Sequence, residues 1–265
     1  MPAASPSSAR PVVLVTGAAR RIGREIALEM ARHGHDVALH YRNSAADAEA
    51  AAGAVRELGA QAWSFGADLA DEAACRALAP AVVARAGRLD AVVNNASHFD
   101  YDDAASFSYA AMDAHWRANT APAVVLAQAL HAHLQAAGRD GCVVNLLDQK
   151  LSNPNPDYLS YTLSKAALDA ATTLLAQALA PRVRVVGVAP GVTLPSGPMT
   201  EDEFARARTL TPLARSSTPA DVARAVRFLI ESPAVTGTTL LVDGGQHLQA
   251  QSRDVMFLAR QSNRP

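Results

Sequence analysis

Cysteine is nearly missing from this chain: two occur, Cys75 and Cys142, far apart and without a C-x2-C partner. That excludes a disulfide framework and a thiolate zinc site, and it suits a reducing compartment in which cysteines serve as small apolar residues. Net charge is missing too. Lys and Arg total 24 against 25 Asp and Glu, a formal balance of -1, so nothing draws the surface as a whole to nucleic acid or to an anionic membrane. No apolar run reaches the roughly 18 residues that span a bilayer. Residues 1–10, rich in Pro, Ser and Ala, lack the apolar stretch of a secretory signal and are expected to be disordered. A cytoplasmic protein is expected. Aromatics are scarce, at 5%, yet 49% of the 265 residues are hydrophobic, enough for the core of one large α/β domain or two small ones.

What is present is an alternation of short β-rich runs and longer helical ones. Val12–Val15 is a continuous apolar strand, the kind buried on both faces of a parallel sheet. Ile22, Ile26 and Met30 then recur at helical spacing, and Gly34 closes that helix. Further strands are predicted at 36–41, 61–66, 89–94, 142–147, 183–188 and 238–242, and helices over 45–58, 72–85, 110–137, 158–180, 201–208 and 219–230. Thr218 and Pro219 supply the N-cap and first position of the last helix. Neither a linker nor an internal repeat interrupts the pattern. The repeated β-α units predict one doubly wound parallel sheet over residues 11–248, helices on both faces, with ligands at the carboxyl ends of the strands. The stretch 193–211, with Pro195, Gly197 and Pro198, is less regular, as loops over a site often are. Residues 249–265 form an extension with no readable partner pattern. Trp63 and Trp116 read as core, and His98 and His115 as ordinary, partly exposed histidines.

Two turns point to a dinucleotide. Between the first strand and helix lie Gly17, Arg20, Arg21, Ile22 and Gly23. Gly17 permits a tight turn, Gly23 a close backbone approach, and the helix N-terminus offers free N–H groups to a pyrophosphate. The bland alternative is a structural turn with no ligand. At the end of the second strand stand His40, Tyr41, Arg42, Asn43 and Ser44, with no carboxylate to take a free ribose 2′-hydroxyl. A guanidinium and neutral donors suit a 2′-phosphate, so NADP(H) is expected.

Tyr161 and Lys165 are four apart and share a helix face. An ammonium beside a phenol lowers its pKa and makes it a usable acid or base near neutral pH. Asp148 lies thirteen residues earlier. Phe99 offers a flat apolar face to a planar heterocycle, or else anchors a loop. Asp148 could equally brace the loop before its helix.

Together these residues resemble the short-chain dehydrogenase/reductase family, over about Pro11 to Leu248, with its Rossmann sheet. The resemblance implies that Asp68 and Leu69 hold the adenine, that Asn95, Ala96 and Ser97 border the cofactor, and that Pro190, Gly191 and Val192 border the nicotinamide. It implies that Tyr161, Lys165 and Asn119 form the catalytic machinery, with Lys165 on the nicotinamide ribose and Asn119 supporting a proton relay. Three departures are similar to the pteridine reductase branch: Arg21 for the middle glycine, Ser97-His98-Phe99 after Asn-Asn-Ala, and Asp148 for the catalytic serine. An ionised carboxylate only accepts hydrogen bonds, so it suits a substrate rich in N–H donors and not a developing oxyanion. The implied substrate is a dihydropterin, with Arg21, Ser97, Phe99, Asp148, Tyr158 and Tyr161 around it. The alternatives are a general NADPH-dependent carbonyl reductase and a non-catalytic NADP(H)-binding regulator. Tyr158, seven before Lys165, has the spacing of the superfamily's enoyl reductases; the glycine turn favours Tyr161 as the acid. Small residues on the 158–180 helix, Ala166, Ala167, Ala170 and Ala171 beside Leu174 and Leu175, imply pairing with its copy in a dimer or tetramer.

Overall fold

The computed structural model describes residues 10–195 and 199–261. The expected disorder of residues 1–10 falls, Arg10 apart, outside the described residues, as do Gly197 and Pro198. Among the described residues, seven strands form one parallel sheet: β1 (Val12–Val15), β2 (Asp36–Tyr41), β3 (Ala62–Gly66), β4 (Ala91–Asn94), β5 (Gly141–Leu146), β6 (Val183–Pro190) and β7 (Thr239–Val242). Their order is β3-β2-β1-β4-β5-β6-β7. The order reverses between β1 and β4, which opens a crevice at the carboxyl ends of the strands.

Both faces of the sheet are buried, so its strands read as apolar runs without alternation. Val13 and Val15 face one layer, made of α1 (Arg21–Arg32), α2 (Ala45–Glu57) and α8 (Pro219–Glu231). Val12 and Leu14 face the other, made of α3 (Glu72–Ala86), α5 (Ala121–Ala137) and α6 (Leu159–Ala178). Cys142 and Cys75 sit in opposite layers, both free and buried, and burial pushes each thiol up to about 11. Thr218 caps α8 as its sequence indicates, in a capping box with Asp221.

The single helix expected over 110–137 is three pieces. α4 (Tyr109–His115) runs into a π turn, Trp116–Thr120, before α5 begins. Pro122 explains the break: it has no N–H for an i−4 bond, and its ring crowds that carbonyl, which a wider turn relieves. The Ala121 N–H reaches back to the Trp116 carbonyl, five residues away. Trp116, expected in the core, is thereby turned 43% exposed. His115 is buried instead, its Nδ1 bonded to the Ala111 carbonyl and its Nε2 accepting the Asp100 N–H.

The described residues after β7, up to Gln261, are folded as well. After β7, a short helix, α9 (Val255–Gln261), packs on α7 (Glu201–Thr209). Arg253 grips Asp157 with a two-pronged fork at 2.7–3.0 Å, and the Asp254 N–H adds a bond of 2.7 Å to the same carboxylate. These partners stand 96 and 97 residues apart, which is why the sequence showed no pairing pattern.

One buried histidine ties the ends of three strands together. His40 takes the Gly17 N–H on Nδ1 at 3.2 Å, and its Nε2 bonds the Ala67 carbonyl at 3.0 Å, so the ring is neutral with Nε2 protonated. Burial lowers its pKa, outweighing the Ala67 bond and the Asp68 charge. The unfolded chain then binds a proton that the folded chain refuses. Stability is full above the ordinary imidazole value of about 6.5 and falls as pH drops through it. His35 and His133, also lowered by burial, add to the same trend. The thermal midpoint is expected to fall between pH 7.5 and 5.5, and His40→Gln to flatten that slope; an equally steep slope in the variant would remove His40 from the account.

Candidate active site

The carboxyl ends of the strands surround one cleft of about 850 Å³. Its floor is the turn after β1. Gly17 sits in the left-handed region at φ 63°, and a Cβ on Gly23 would lie 2.3 Å from the Gly17 carbonyl oxygen and 2.5 Å from Asn95 Nδ2. No other residue type fits there without moving the backbone. Thr16 and Asn95 hold the turn in shape. Thr16 Oγ1 accepts the N–H groups of Asn95 and Ala96 at 2.9 and 3.0 Å, while Asn95 Nδ2 donates to the Thr16 and Gly17 carbonyls at 2.8 and 3.2 Å. Thr16 was not singled out from sequence as a site residue; its place next to Gly17 was the available signal. His40 lines the cleft too, but both its ring nitrogens serve the backbone, so its contribution to a ligand is the shape of the turn.

Above that floor, the first N–H groups of α1 are open: the N-cap, Arg20, makes no side-chain cap bond, and the first turn holds no acid. Ser44, the N-cap of α2, leaves its hydroxyl unused as well. Arg42, Asn43 and Ser44 line the cleft with no side-chain partner among the described residues. Arg20 is committed to Asp47 of α2, at 2.7 Å through Nε. Arg21 holds φ 54°, a left-handed backbone that costs a side-chain-bearing residue about 1 kcal/mol. Its Nη2 donates to the Pro195 carbonyl at 2.9 Å and so joins this turn to the loop after β6. Tyr41, Asp68 and Leu69 form the wall at the far end, with Asp68 Oδ1 turned onto the Ala70 N–H at 3.0 Å.

At the opposite end stand Pro190, Gly191 and Val192, backed by Gln246, whose Oε1 accepts the Val192 N–H at 3.3 Å. Asp148, Tyr161 and Lys165 meet here. Asp148 caps a short 3-10 turn, Gln149–Leu151, by accepting the Lys150 N–H on Oδ1 at 2.8 Å. Its other oxygen accepts the Tyr161 hydroxyl at 2.9 Å. Lys165 donates to the Leu146 carbonyl at 2.7 Å, and its Nζ lies 5.8 Å from the Tyr161 ring centre.

The expected lowering of the Tyr161 pKa is reversed. Burial pushes it well above the ordinary phenol value, and the Asp148 carboxylate bonded to the hydroxyl adds to the rise. Burial also raises Asp148, against the bonds from Lys150 and Tyr161. Lys165 falls to about 8, lowered by burial and partly restored by Asp148. At rest the phenol is therefore a protonated donor.

Two residues expected at the site lie off the cleft. Asn119, on the π turn, clamps the loop that follows β4: its Oδ1 accepts the His98 N–H at 2.7 Å, and its Nδ2 donates to the His98 carbonyl and to Ser164 Oγ, each at 3.0 Å. Its side chain thus positions Ser97 and Phe99, which do line the cleft, and does not touch Lys165. Tyr158 is the correction. Its backbone is left-handed, at φ 56°, and turns the ring behind Phe99. There it is 4% exposed, stacked on Phe99 at 4.3 Å and bonded through its hydroxyl to Met256 Sδ at 3.9 Å. One face of Phe99 is consequently occupied, and its edge meets Tyr161 at 4.7 Å. Sequence reasoning missed Gln149, Lys150, Asp254 and Met256, all of which line this end.

The geometry agrees with what known proteins resemble it. Residues 17–247 match a family model described as enoyl-(acyl carrier protein) reductase. A FolM alternative dihydrofolate reductase 1 from Brucella suis, solved in complex with NADP, superposes with a TM-score of 0.88 at 40% identity, covering 93% of this chain and 98% of that one. Pteridine reductase 1 of Leishmania tarentolae is 32% identical over 91% of this chain and 98% of its own length. The granaticin polyketide synthase ketoacyl reductase 2 of Streptomyces violaceoruber is 36% identical over 90% of this chain and 96% of its own. With the parallel sheet, the glycine turn and the Tyr161–Lys165 pair in place, the chain is a member of the short-chain dehydrogenase/reductase family of oxidoreductases.

Proposed function

We propose that this protein is an NADPH-dependent reductase of a dihydropterin ring, of the dihydromonapterin or dihydrobiopterin type, with dihydrofolate as a further candidate. The observation that carries the reading is Asp148: a carboxylate accepts from Tyr161 at 2.9 Å where a ketone reductase needs a neutral hydroxyl donor. A carboxylate repels an oxyanion and welcomes N–H donors. The Brucella suis protein, a dihydrofolate reductase by name, was solved with NADP, and the Leishmania tarentolae protein is named for pteridine reduction.

The cleft suits NADP(H). The open N–H groups of α1 face the place of a pyrophosphate, the close packing at Gly23 leaves the turn low, and Arg42 with Asn43 and Ser44 stands ready for a 2′-phosphate. Lys165 spends one N–H on Leu146 and keeps two for the nicotinamide ribose. When bound, NADPH supplies the hydride, delivered to the carbon of a ring C=N bond. The nitrogen of that bond then needs one proton, and Tyr161 holds one. As the phenol releases it, the Lys165 ammonium stabilises the phenolate, and Asp148 holds the ring geometry through the same step.

A general NADPH-dependent carbonyl reductase is the second reading, favoured by the ketoacyl reductase relative. An exposed stripe on α6, with Leu163 45% and Leu174 64% exposed on one face with Ala167 and Ala170, supports pairing of this helix with its copy in a dimer or tetramer. The free buried thiols suit a cytoplasmic location.

Loss of NADPH absorbance with a dihydropterin, and little with simple ketones, is the expected result. Turnover of ketones alone would transfer the assignment to the second reading, and tight NADPH binding without turnover would mark a non-catalytic protein. Tyr161→Phe is expected to lower turnover by at least about a hundredfold while NADPH binding, followed by fluorescence, persists. Survival of activity in that variant, with its loss in Tyr158→Phe, would reverse the roles of the two tyrosines. The kcat/KM for NADPH reports groups of the free enzyme. It should fall as pH rises through about 8, where Lys165 loses the proton it donates to the cofactor; a flat profile to pH 9.5 would contradict that role.

A further inference from the structure

The segment before α9 enters the end of the cleft that holds Tyr161. Asp254 and Met256 line it together with Asp148, Tyr161 and Phe99. The Arg253 fork on Asp157 fixes the segment in place. Asp254 accepts the Met256 N–H on Oδ1 at 3.1 Å, and its Oδ2 faces Lys150 Nζ at 3.4 Å, with the side chain 19% exposed. Each carboxylate oxygen has two acceptor positions, so one remains free on each. Lys150 gives its short bond to the Asp157 carbonyl at 2.5 Å, and its ammonium lies 5.3 Å from the Tyr158 ring centre. Gln149, next to Asp148 in sequence, lines this end too; it is only 5% exposed, and its buried Oε1 has no hydrogen-bond partner among the described residues.

We infer that Asp254 is a specificity-determining residue, a second carboxylate that accepts, beside Asp148, from the N–H edge of a donor-rich heterocycle. Two acids that line one end of a cleft present acceptor positions toward it, which suit a ligand whose facing edge carries N–H donors. Asp254 also adds negative potential at Asp148 and Tyr161, raising both, so its charge reaches the reacting groups. The inference rests on the pterin reading, since that ring carries an amino group and ring N–H donors on one edge.

The test compares dihydrobiopterin with its analogue lacking the exocyclic amino group, in wild type, Asp254→Asn and Asp254→Glu. A lost charge-assisted hydrogen bond predicts that Asp254→Asn lowers kcat/KM for dihydrobiopterin about tenfold, through KM. NADPH affinity should stay within about twofold, and Asp254→Glu should recover part of the loss. Wild type should prefer dihydrobiopterin over the analogue by about tenfold, and Asp254→Asn should shrink that preference to about twofold. An Asp254→Asn enzyme with wild-type KM and unchanged preference overturns the inference. So does a wild type that takes both compounds equally, a result that needs no variant to fold. A wild type that consumes no NADPH with any reduced pterin overturns the proposed function as well; pterin turnover with no effect at Asp254 overturns this inference alone.

Discussion

A phenol that donates to a buried carboxylate keeps its proton, and the rest of this cleft is arranged around that bond. Tyr161 and Asp148 lie 2.9 Å apart, each with its pKa raised by burial. The pair cannot give up a proton to water at neutral pH without leaving negative charge in a closed place. An incoming group that takes the proton must therefore be basic, or must bring positive charge with it. Lys165 is set to limit the charge left behind: four residues on, one helical turn away, and held at about 8 by burial. The phenol, the carboxylate and the ammonium are best treated as one coupled unit whose protons are shared, and not as three separate titrations.

The other end of the cleft is built before any ligand arrives. Thr16, Asn95 and His40 saturate the polar groups of the glycine turn with protein partners, so the turn keeps its shape without a phosphate. What they leave open are the first N–H groups of α1 and the unpaired head groups after β2. A preformed site of this kind loses little ordering entropy on binding. The neutral ring of His40 makes that preformation sensitive to acid, because a second proton on the ring removes the acceptor for the Gly17 N–H.

Much of this was legible in the residues themselves. Buried parallel strands announce themselves as apolar runs, and Gly17 and Gly23 are needed where the turn is tight and the backbone close, so the sheet and the floor of the cleft followed from local pattern. The four-residue spacing of Tyr161 and Lys165 and the acid thirteen residues before Tyr161 were equally local. The errors have physical causes. The pKa of Tyr161 is set first by burial and then by the bond to Asp148, and the four-residue spacing to Lys165 shows neither. The ring of Tyr158 is placed by a left-handed backbone that a tyrosine rarely adopts. The break near Asn119 could have been read from Pro122, three residues on, whose missing N–H disfavours an uninterrupted helix there. The roles of Arg253 and Asp254 could not be read, because the partners that dock them on the rest of the fold, Asp157 and Lys150, lie about a hundred residues away.

Of the three non-glycine residues described with left-handed backbone, Ala214 lies in a loop, whereas Arg21 and Tyr158 each open a helix. Arg21 stands at the start of α1 with φ 54°, and Tyr158 caps α6 with φ 56°. Neither conformation persists unless its side chain is held. Arg21 is held by the Pro195 carbonyl, across 174 residues of sequence, and Tyr158 by Phe99, Lys150 and Met256. Among these anchors, Pro195 lies in the loop after β6 and Met256 in the segment after β7. A glycine at position 21 would adopt the same turn freely, but it would carry no guanidinium to that loop. The strain is thus the cost of letting the cofactor turn and the substrate wall be set by the same residues. Under the proposed function that coupling has a direct use, since a ring that must lie against a nicotinamide needs both surfaces placed relative to one another before it binds.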